Sequence, residues 1–218
     1  MIVEERLVTY INSLDTGNTT ILDEIEKEAI DTYVPIIRKE MQSFLKLILA
    51  IKKPARILEV GTAVGFSAIL MAEYNPVSCE ITTIENYEKR IPIARENFKR
   101  AGKDGMITLL EGDAAEVLKT LNEPYDFIFM DAAKGQYIHF LPEILRLLAE
   151  DGVLVSDNVL QDGDIIESRF AVTRRNRTIH KRMRDYLYEL THHENLVTSV
   201  LPIGDGITVS TRKGRNEK

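Results

Sequence analysis

The sequence predicts a doubly wound α/β fold, and three observations carry that prediction. From Pro54 onward, short apolar runs alternate with segments of helical period. One of these runs, Arg56–Val60, passes at once into a glycine turn, Gly61-Thr-Ala-Val-Gly65, and then into a helical segment. The chain closes on two strand-like runs joined through Ile203-Gly-Asp-Gly206, which has hairpin chemistry. The expected product is a seven-stranded, mostly parallel sheet with a C-terminal antiparallel hairpin and extra N-terminal helices.

Each element has its own signal. Leu22–Ile30 and Met41–Ile51 carry apolar residues at helical spacing, which makes residues 1–53 a helical extension. Residues 54–212 form the α/β core of one domain that spans 1–218. Its first five strands are expected at Arg56–Val60, Glu80–Ile84, Ile107–Glu111, Phe127–Met130 and Val153–Ser156. All are short and apolar, as strands covered on both faces are. Helices are expected between them at Phe66–Tyr74, Tyr87–Ala101, Ala114–Leu121 and Tyr137–Leu148. A long helix, Glu167–His192, then leads to strands at Leu196–Pro202 and Gly206–Thr211 and a charged, frayed tail at Arg212–Lys218.

Composition narrows the function classes. A chain of 218 residues, 44% apolar, builds a full core and excludes disorder. The net charge of −6 gives no global argument for nucleic acid. Cys79 is alone, so no internal disulfide can form and a reducing, cytoplasmic setting is expected. The stretch Met1–Tyr10 carries Glu4, Glu5 and Arg6 where a signal peptide needs an apolar run. No window approaches the length of a membrane span, so no membrane partner is expected.

The glycine turn marks a nucleotide-type site at the carboxyl edge of the sheet. Its pattern is Glu59-Val-Gly61-x-x-x-Gly65, with an acid inside the strand, and it points to a sulfonium cofactor more than to a dinucleotide. A nicotinamide-binding domain would want its second glycine where Ala63 stands. Glu85 ends the second strand, 24 residues after Gly61, where an acid can accept ribose hydroxyls. Asp113 follows the third strand, placed either to reach an adenine or to cap the next helix. Ser67 opens the first core helix, as a cap or as a contact to the amino acid end of the cofactor.

The next two strand ends carry oxygen ligands. Asp131 follows the fourth strand, and Asp157 and Asn158 follow the fifth. Adjacent ends then present two carboxylates and an amide on the cofactor's edge, a set suited to Mg²⁺ or another hard cation. Taken singly, each would read as a helix cap or a polar turn. Lys134, three residues after Asp131, is placed to accept a proton or to steady an oxyanion; alone it would read as a loop lysine.

These residues resemble the metal-dependent O-methyltransferases similar to catechol and caffeoyl-CoA O-methyltransferase. The marks are Glu59-Val-Gly-Thr-Ala-Val-Gly-Phe-Ser67, Asp131-x-x-Lys134-x-x-Tyr137 and Asp157-Asn158, within a likeness that runs from Thr32 to Arg212. The resemblance implies a Rossmann-like class I methyltransferase fold. It implies S-adenosylmethionine at Glu59, Gly61, Ser67, Glu85 and Asp113, with Gly112, Ala114 and Asp131 alongside and Met41 in a covering segment. It also implies Mg²⁺ at Asp131, Asp157 and Asn158, with Lys134 as general base. Enzymes of this type are commonly homodimers, and the N-terminal helices are the expected interface.

Two features bear on the substrate. The chain has no tryptophan, so it lacks the aromatic wall with which animal catechol enzymes grip their ring. The segment Arg169–Arg184 holds Arg169, Arg174, Arg175, Arg177, Lys181, Arg182 and Arg184 with no acid among them. A basic run there suits a polyanion such as tRNA, or else forms a solvated helix face or a dimer contact. The overall likeness is greatest to the bacterial branch similar to tRNA 5-hydroxyuridine methyltransferases. It implies methylation of a wobble hydroxyl that neighbours a carbonyl oxygen. A small-molecule O-methyltransferase and a non-catalytic RNA-binding module are the alternatives.

Overall fold

The structure is a computed structural model that describes residues 3–168 and 170–214. Arg169 and the end of the expected tail, residues 215–218, lie outside the described residues. Three helices come first: α1 (Glu5–Asn12), α2 (Thr20–Asp31) and α3 (Lys39–Lys52). Then follow β1 (Arg56–Val60), α4 (Phe66–Tyr74), β2 (Glu80–Glu85), α5 (Ile91–Arg100), β3 (Ile107–Glu111) and α6 (Ala114–Thr120). The second half runs β4 (Tyr125–Met130), α7 (Tyr137–Leu147), β5 (Leu148–Ser156), α8 (Arg177–His192), β6 (Leu196–Leu201) and β7 (Ile207–Arg212).

The seven strands form one sheet in the order β3-β2-β1-β4-β5-β7-β6. The first five are parallel, and β7 pairs antiparallel with both β5 and β6. The chain thus winds outward from β1 in one direction and from β4 in the other. The seam between them is a topological switch point, where open α/β sheets bind ligands.

Strand alternation sorts the core into two layers. Ile57, Ile81, Phe127, Phe129 and Val155 face the layer of α2, α3, α4 and α5, packing with Leu45, Leu49, Phe66 and Phe98. Leu58, Val60, Ile128, Met130 and Leu154 face α6, α7 and α8, packing with Leu118, Ile144 and Met183. Both faces are covered, which is why each strand reads as a continuous apolar run.

The larger differences from the sequence expectation fall at α1, α5, β5 and α8. Helix α1 lies within the helical extension expected for residues 1–53, although no bounds were expected for it; Leu7 and Ile11, with Leu14 just beyond, recur at helical spacing but stay exposed. Helix α5 starts at Ile91 rather than Tyr87, with Pro92 in its first turn, the position where proline's missing N–H costs nothing. Strand β5 starts at Leu148, before a register shift against β4 that hides its first half from an alternation search. The expected long helix begins only at Arg177. Before it, Gln161–Ile166 forms a short 3₁₀ turn, and residues 170–176 lie outside the helix. Cationic residues at a helix start oppose the macrodipole, and Arg174 and Arg175 fall in this non-helical stretch.

Candidate active site

The glycine turn leaves β1 and enters α4. Gly61 and Gly65 have φ of 97° and 87°, and Ala63 takes 47°. A Cβ on Gly61 would run into the carbonyl oxygen of Asp131, and one on Gly65 would sit 2.5 Å from the Phe98 ring. The turn needs glycine for backbone shape at both places and for close approach to the β4 end at the first. Gly61 N and Thr62 N both donate to Ile84 O, at 3.0 and 3.2 Å, which ties the turn to β2.

Glu59 does not reach the surface expected of it. It is wholly buried beneath the turn, where Ser67 Oγ and Thr83 Oγ1 each donate to its carboxylate at 2.5 Å. Burial pushes its pKa up to about 7, against these two hydrogen bonds. Glu59 is therefore a strut that aims Ser67, not a lining residue.

A cavity of about 870 Å³ opens above the turn. Gly61 and Ser67 form part of its floor, and Met41 comes in from α3. Glu85, Gly112, Asp113 and Ala114 bring in the ends of β2 and β3. The Glu85 carboxylate accepts from Ala63 N at 2.8 Å, Asn86 N at 2.9 Å and Tyr87 N at 2.8 Å. A carboxylate has about four lone-pair sites, so Glu85 keeps about one for a ribose hydroxyl rather than two. Asp113 caps α6, accepting from Ala115 N at 2.8 Å, while it lines the cavity. Of its two readings the cap is observed, and its place on the cavity wall leaves it within reach of a bound nucleoside.

Asp131, Asp157 and Asn158 line the same cavity on the β4–β5 side. Asn158 Nδ2 donates to Asp131 Oδ1 at 3.1 Å, and Asn158 N donates to Asp157 Oδ1 at 2.7 Å. Asn158 takes φ of 61°, a left-handed backbone that asparagine tolerates. Burial raises the pKa of both aspartates, and the charge of Asp131 raises Asp157 further. The Lys134 ammonium, on the short Lys134–Gln136 turn, lowers both and also lines the cavity.

Among the described residues no group of three or more His, Cys, Asp or Glu is placed to hold a metal ion. The set here is instead two aspartates and an asparagine. Two carboxylates crowded in a buried site repel when both ionise, and a divalent cation relieves that repulsion. The donor chemistry therefore fits a hard cation, which Asp131, Asp157 and Asn158 would hold.

Among the described residues, the basic side chains between 174 and 184 do not line the cavity. Arg182 donates to Gly135 O at 3.1 Å, which fastens the second turn of α8 to the loop that carries Lys134. Lys181 pairs with Asp185 at 2.5 Å. Arg177 lies 5.8 Å from the Phe170 ring centre, while Arg174 and Arg175 are exposed. Sequence reasoning missed another residue at the rim. Arg38, just before α3, lies 2.9 Å from Asp205 and 3.3 Å from Asp162. Both Arg38 and Asp205 line the cavity, yet no spacing rule joins residues so far apart in the chain.

Comparison with known proteins agrees with this arrangement. The family model described as O-methyltransferase matches residues 12–213. The chain is 30% identical to caffeoyl-CoA O-methyltransferase of Medicago sativa, over 78% of this chain and 71% of that one. It is 27% identical to tapetum-specific methyltransferase 1 of Arabidopsis thaliana, over 88% and 86%. The S-adenosylhomocysteine-bound methyltransferase PaMTH1 of Podospora anserina superposes with a TM-score of 0.86 at 28% identity, over 96% of this chain and 95% of that one. With a glycine turn and acidic strand ends around one cavity, the chain belongs to the O-methyltransferase family, S-adenosylmethionine-dependent enzymes of the catechol and caffeoyl-CoA type.

Proposed function

We propose that this enzyme methylates one of two vicinal oxygens with the help of a divalent cation, and that the acceptor is the 5-hydroxyl of 5-hydroxyuridine in tRNA. One observation carries the cation reading. Asp131, Asp157 and Asn158 stand on neighbouring strand ends in the cavity that also holds the glycine turn. When bound, S-adenosylmethionine supplies an electrophilic methyl group and Mg²⁺ acidifies and orients the hydroxyl that receives it.

The residues of the chain do the rest. Gly61 lets the cofactor pack against the backbone, and Ser67, aimed by Glu59, faces its amino acid end. Glu85 and Asp113 hold the nucleoside. Lys134 Nζ takes the hydroxyl proton, and the ammonium so formed balances the charge of the two aspartates. Positioning two reactants on one rigid sheet edge supplies much of the rate.

The substrate reading rests on the basic start of α8. Arg182 joins it to Gly135, next to Lys134, and Arg174 and Arg175 stand free in solvent just upstream. Such a surface can hold the phosphates around an unpaired wobble base. A small catechol or a CoA ester is the second reading. The caffeoyl-CoA relative favours it, and so does a cavity within the ~300–1,000 Å³ range of small-molecule sites. The N-terminal helices, with Leu7, Tyr10, Ile11 and Leu14 exposed on and just after α1, are the proposed face for a second copy of the chain.

The test is methyl transfer from labelled S-adenosylmethionine to tRNA from cells lacking the enzyme, with Mg²⁺ or EDTA and with a catechol control. Mg²⁺-dependent label in tRNA supports the proposal. Label in catechol alone selects the small-molecule reading. Transfer that survives EDTA removes the cation.

A further inference from the structure

Tyr137 opens α7 and is wholly buried. Its hydroxyl accepts from Ala132 N at 3.2 Å and lies 3.1 Å from both Met130 O and Asp157 O. Met130 and Ala132 flank Asp131 in the chain, and the third partner is the peptide oxygen of Asp157 itself. One side-chain oxygen thus holds the backbone on both sides of the first aspartate and the backbone of the second.

The sheet does not provide this connection unaided. The β4–β5 pairing ends at Met130↔Ser156, and Asp157 N adds one bond to Met130 O at 2.9 Å. Beyond that point the backbones of the strand ends are joined through the Tyr137 hydroxyl, while Asn158 Nδ2 donates to Asp131 Oδ1 between their side chains. The same hydroxyl closes the loop from Ala132 to Tyr137, which contains Lys134. The ring is itself fixed, edge-on to Tyr186 with centroids 5.5 Å apart and an interplanar angle of 74°. Tyr186 in turn has its hydroxyl 2.6 Å from Ser156 Oγ.

The geometry points to Tyr137 as a positioning residue that sets the separation and aim of Asp131 and Asp157, and through them the affinity of the site for a divalent cation. The inference rests on the cation reading given above. Two like-charged carboxylates tend to spread apart, and buried strand ends resist this only as far as their backbones are pinned. A phenyl ring at 137 keeps the packing and removes the pin, leaving Ala132 N and a lone pair on each carbonyl without a partner. Groups that support metal ligands in this way are worth about ten- to a hundredfold in metal affinity.

The experiment compares wild type, Tyr137→Phe and Tyr186→Phe. Mn²⁺ binding is followed by electron paramagnetic resonance, S-adenosylhomocysteine binding by calorimetry, and the Mg²⁺ activation constant separately from kcat at saturating Mg²⁺. Tyr137→Phe is expected to weaken Mn²⁺ binding and raise the Mg²⁺ activation constant by about tenfold or more, with S-adenosylhomocysteine binding within about twofold of wild type. Tyr186→Phe removes an equally buried hydroxyl that bonds a side chain only, and is expected to lower stability without moving Mn²⁺ affinity. Equal Mn²⁺ affinity in wild type and Tyr137→Phe would overturn the proposal and leave the cation reading standing. Wild type that binds neither Mn²⁺ nor Mg²⁺ would overturn both. If Tyr137→Phe folds only with metal, its Mn²⁺-dependent refolding reports the affinity by linkage. Refolding at the wild-type Mn²⁺ concentration would again overturn the proposal.

Discussion

Gly61 and Asp131 meet where the two halves of the sheet join: the carbonyl oxygen of Asp131 occupies the space a side chain at 61 would need. The turn that receives the cofactor and the strand end that carries the first acid are therefore packed backbone to backbone. Gly61→Ala faces this clash and a φ of 97° together. A loss on the order of 3 kcal/mol is expected, with cofactor binding abolished. Thermal melting and S-adenosylhomocysteine calorimetry measure the two effects, and a variant that binds normally would show that the turn has slack.

Glu59 makes stability depend on pH. Its carboxyl titrates at about 7 in the folded protein, against about 4.5 unfolded. A raised carboxyl binds its proton more tightly when folded, so its contribution is fully present below about 4.5 and is lost as pH rises through about 7. The loss amounts to about 3 kcal/mol for this group. Asp131 and Asp157, also raised, act in the same direction. Glu59→Gln is expected to flatten the curve of stability against pH between these limits. Urea melts across that range decide the matter, and a slope unchanged by the substitution would rule Glu59 out as its source.

Removal of the cation is expected to cost both stability and turnover. A divalent ion favours the ionised aspartates, so added Mg²⁺ should raise the melting temperature most above neutral pH, and EDTA should reverse the gain. Asp131→Asn is expected to abolish that Mg²⁺ response and to lower kcat on the order of a thousandfold. A Mg²⁺ response that persists in Asp131→Asn would place the cation elsewhere.

The basic surface answers to salt. Arg174→Glu with Arg175→Glu is expected to weaken tRNA binding by about tenfold or more and to reduce the salt slope of binding by about one to two. Turnover of a small catechol is expected to stay near wild type. Filter binding at several salt concentrations supplies the slope. An unchanged slope would make the arginines ordinary surface.

Much of the fold was legible because strand and helix periods differ so sharply. The five parallel strands carry apolar runs bounded by turns, and their ends delivered Asp113, Asp131 and Asp157 to one edge without any long-range information. The failures have the opposite cause. The segment before Arg177 carries arginines with no apolar stripe behind them, and the expected helix does not extend there. Arg38 and Asp205 meet across the cavity rim through tertiary packing alone. The role of Glu59 was half legible: the acid in the strand was visible, but not that it points down into the α4 layer, where Ser67 and Thr83 claim it.

The seam between β1 and β4 has one more consequence. On the proposed function, the cofactor-side residues come from β1, β2 and β3 and the acids from β4 and β5, so donor and acceptor of the methyl group would be carried on opposite banks. Four backbone pairings, from Ile57↔Phe127 to Val60↔Met130, fix the spacing of the two banks. On that reading the reach of the transfer is first a dimension of the sheet, which the side chains at its edge then refine. Loops at the rim can be recut to admit another acceptor while the gap the methyl group crosses stays the same.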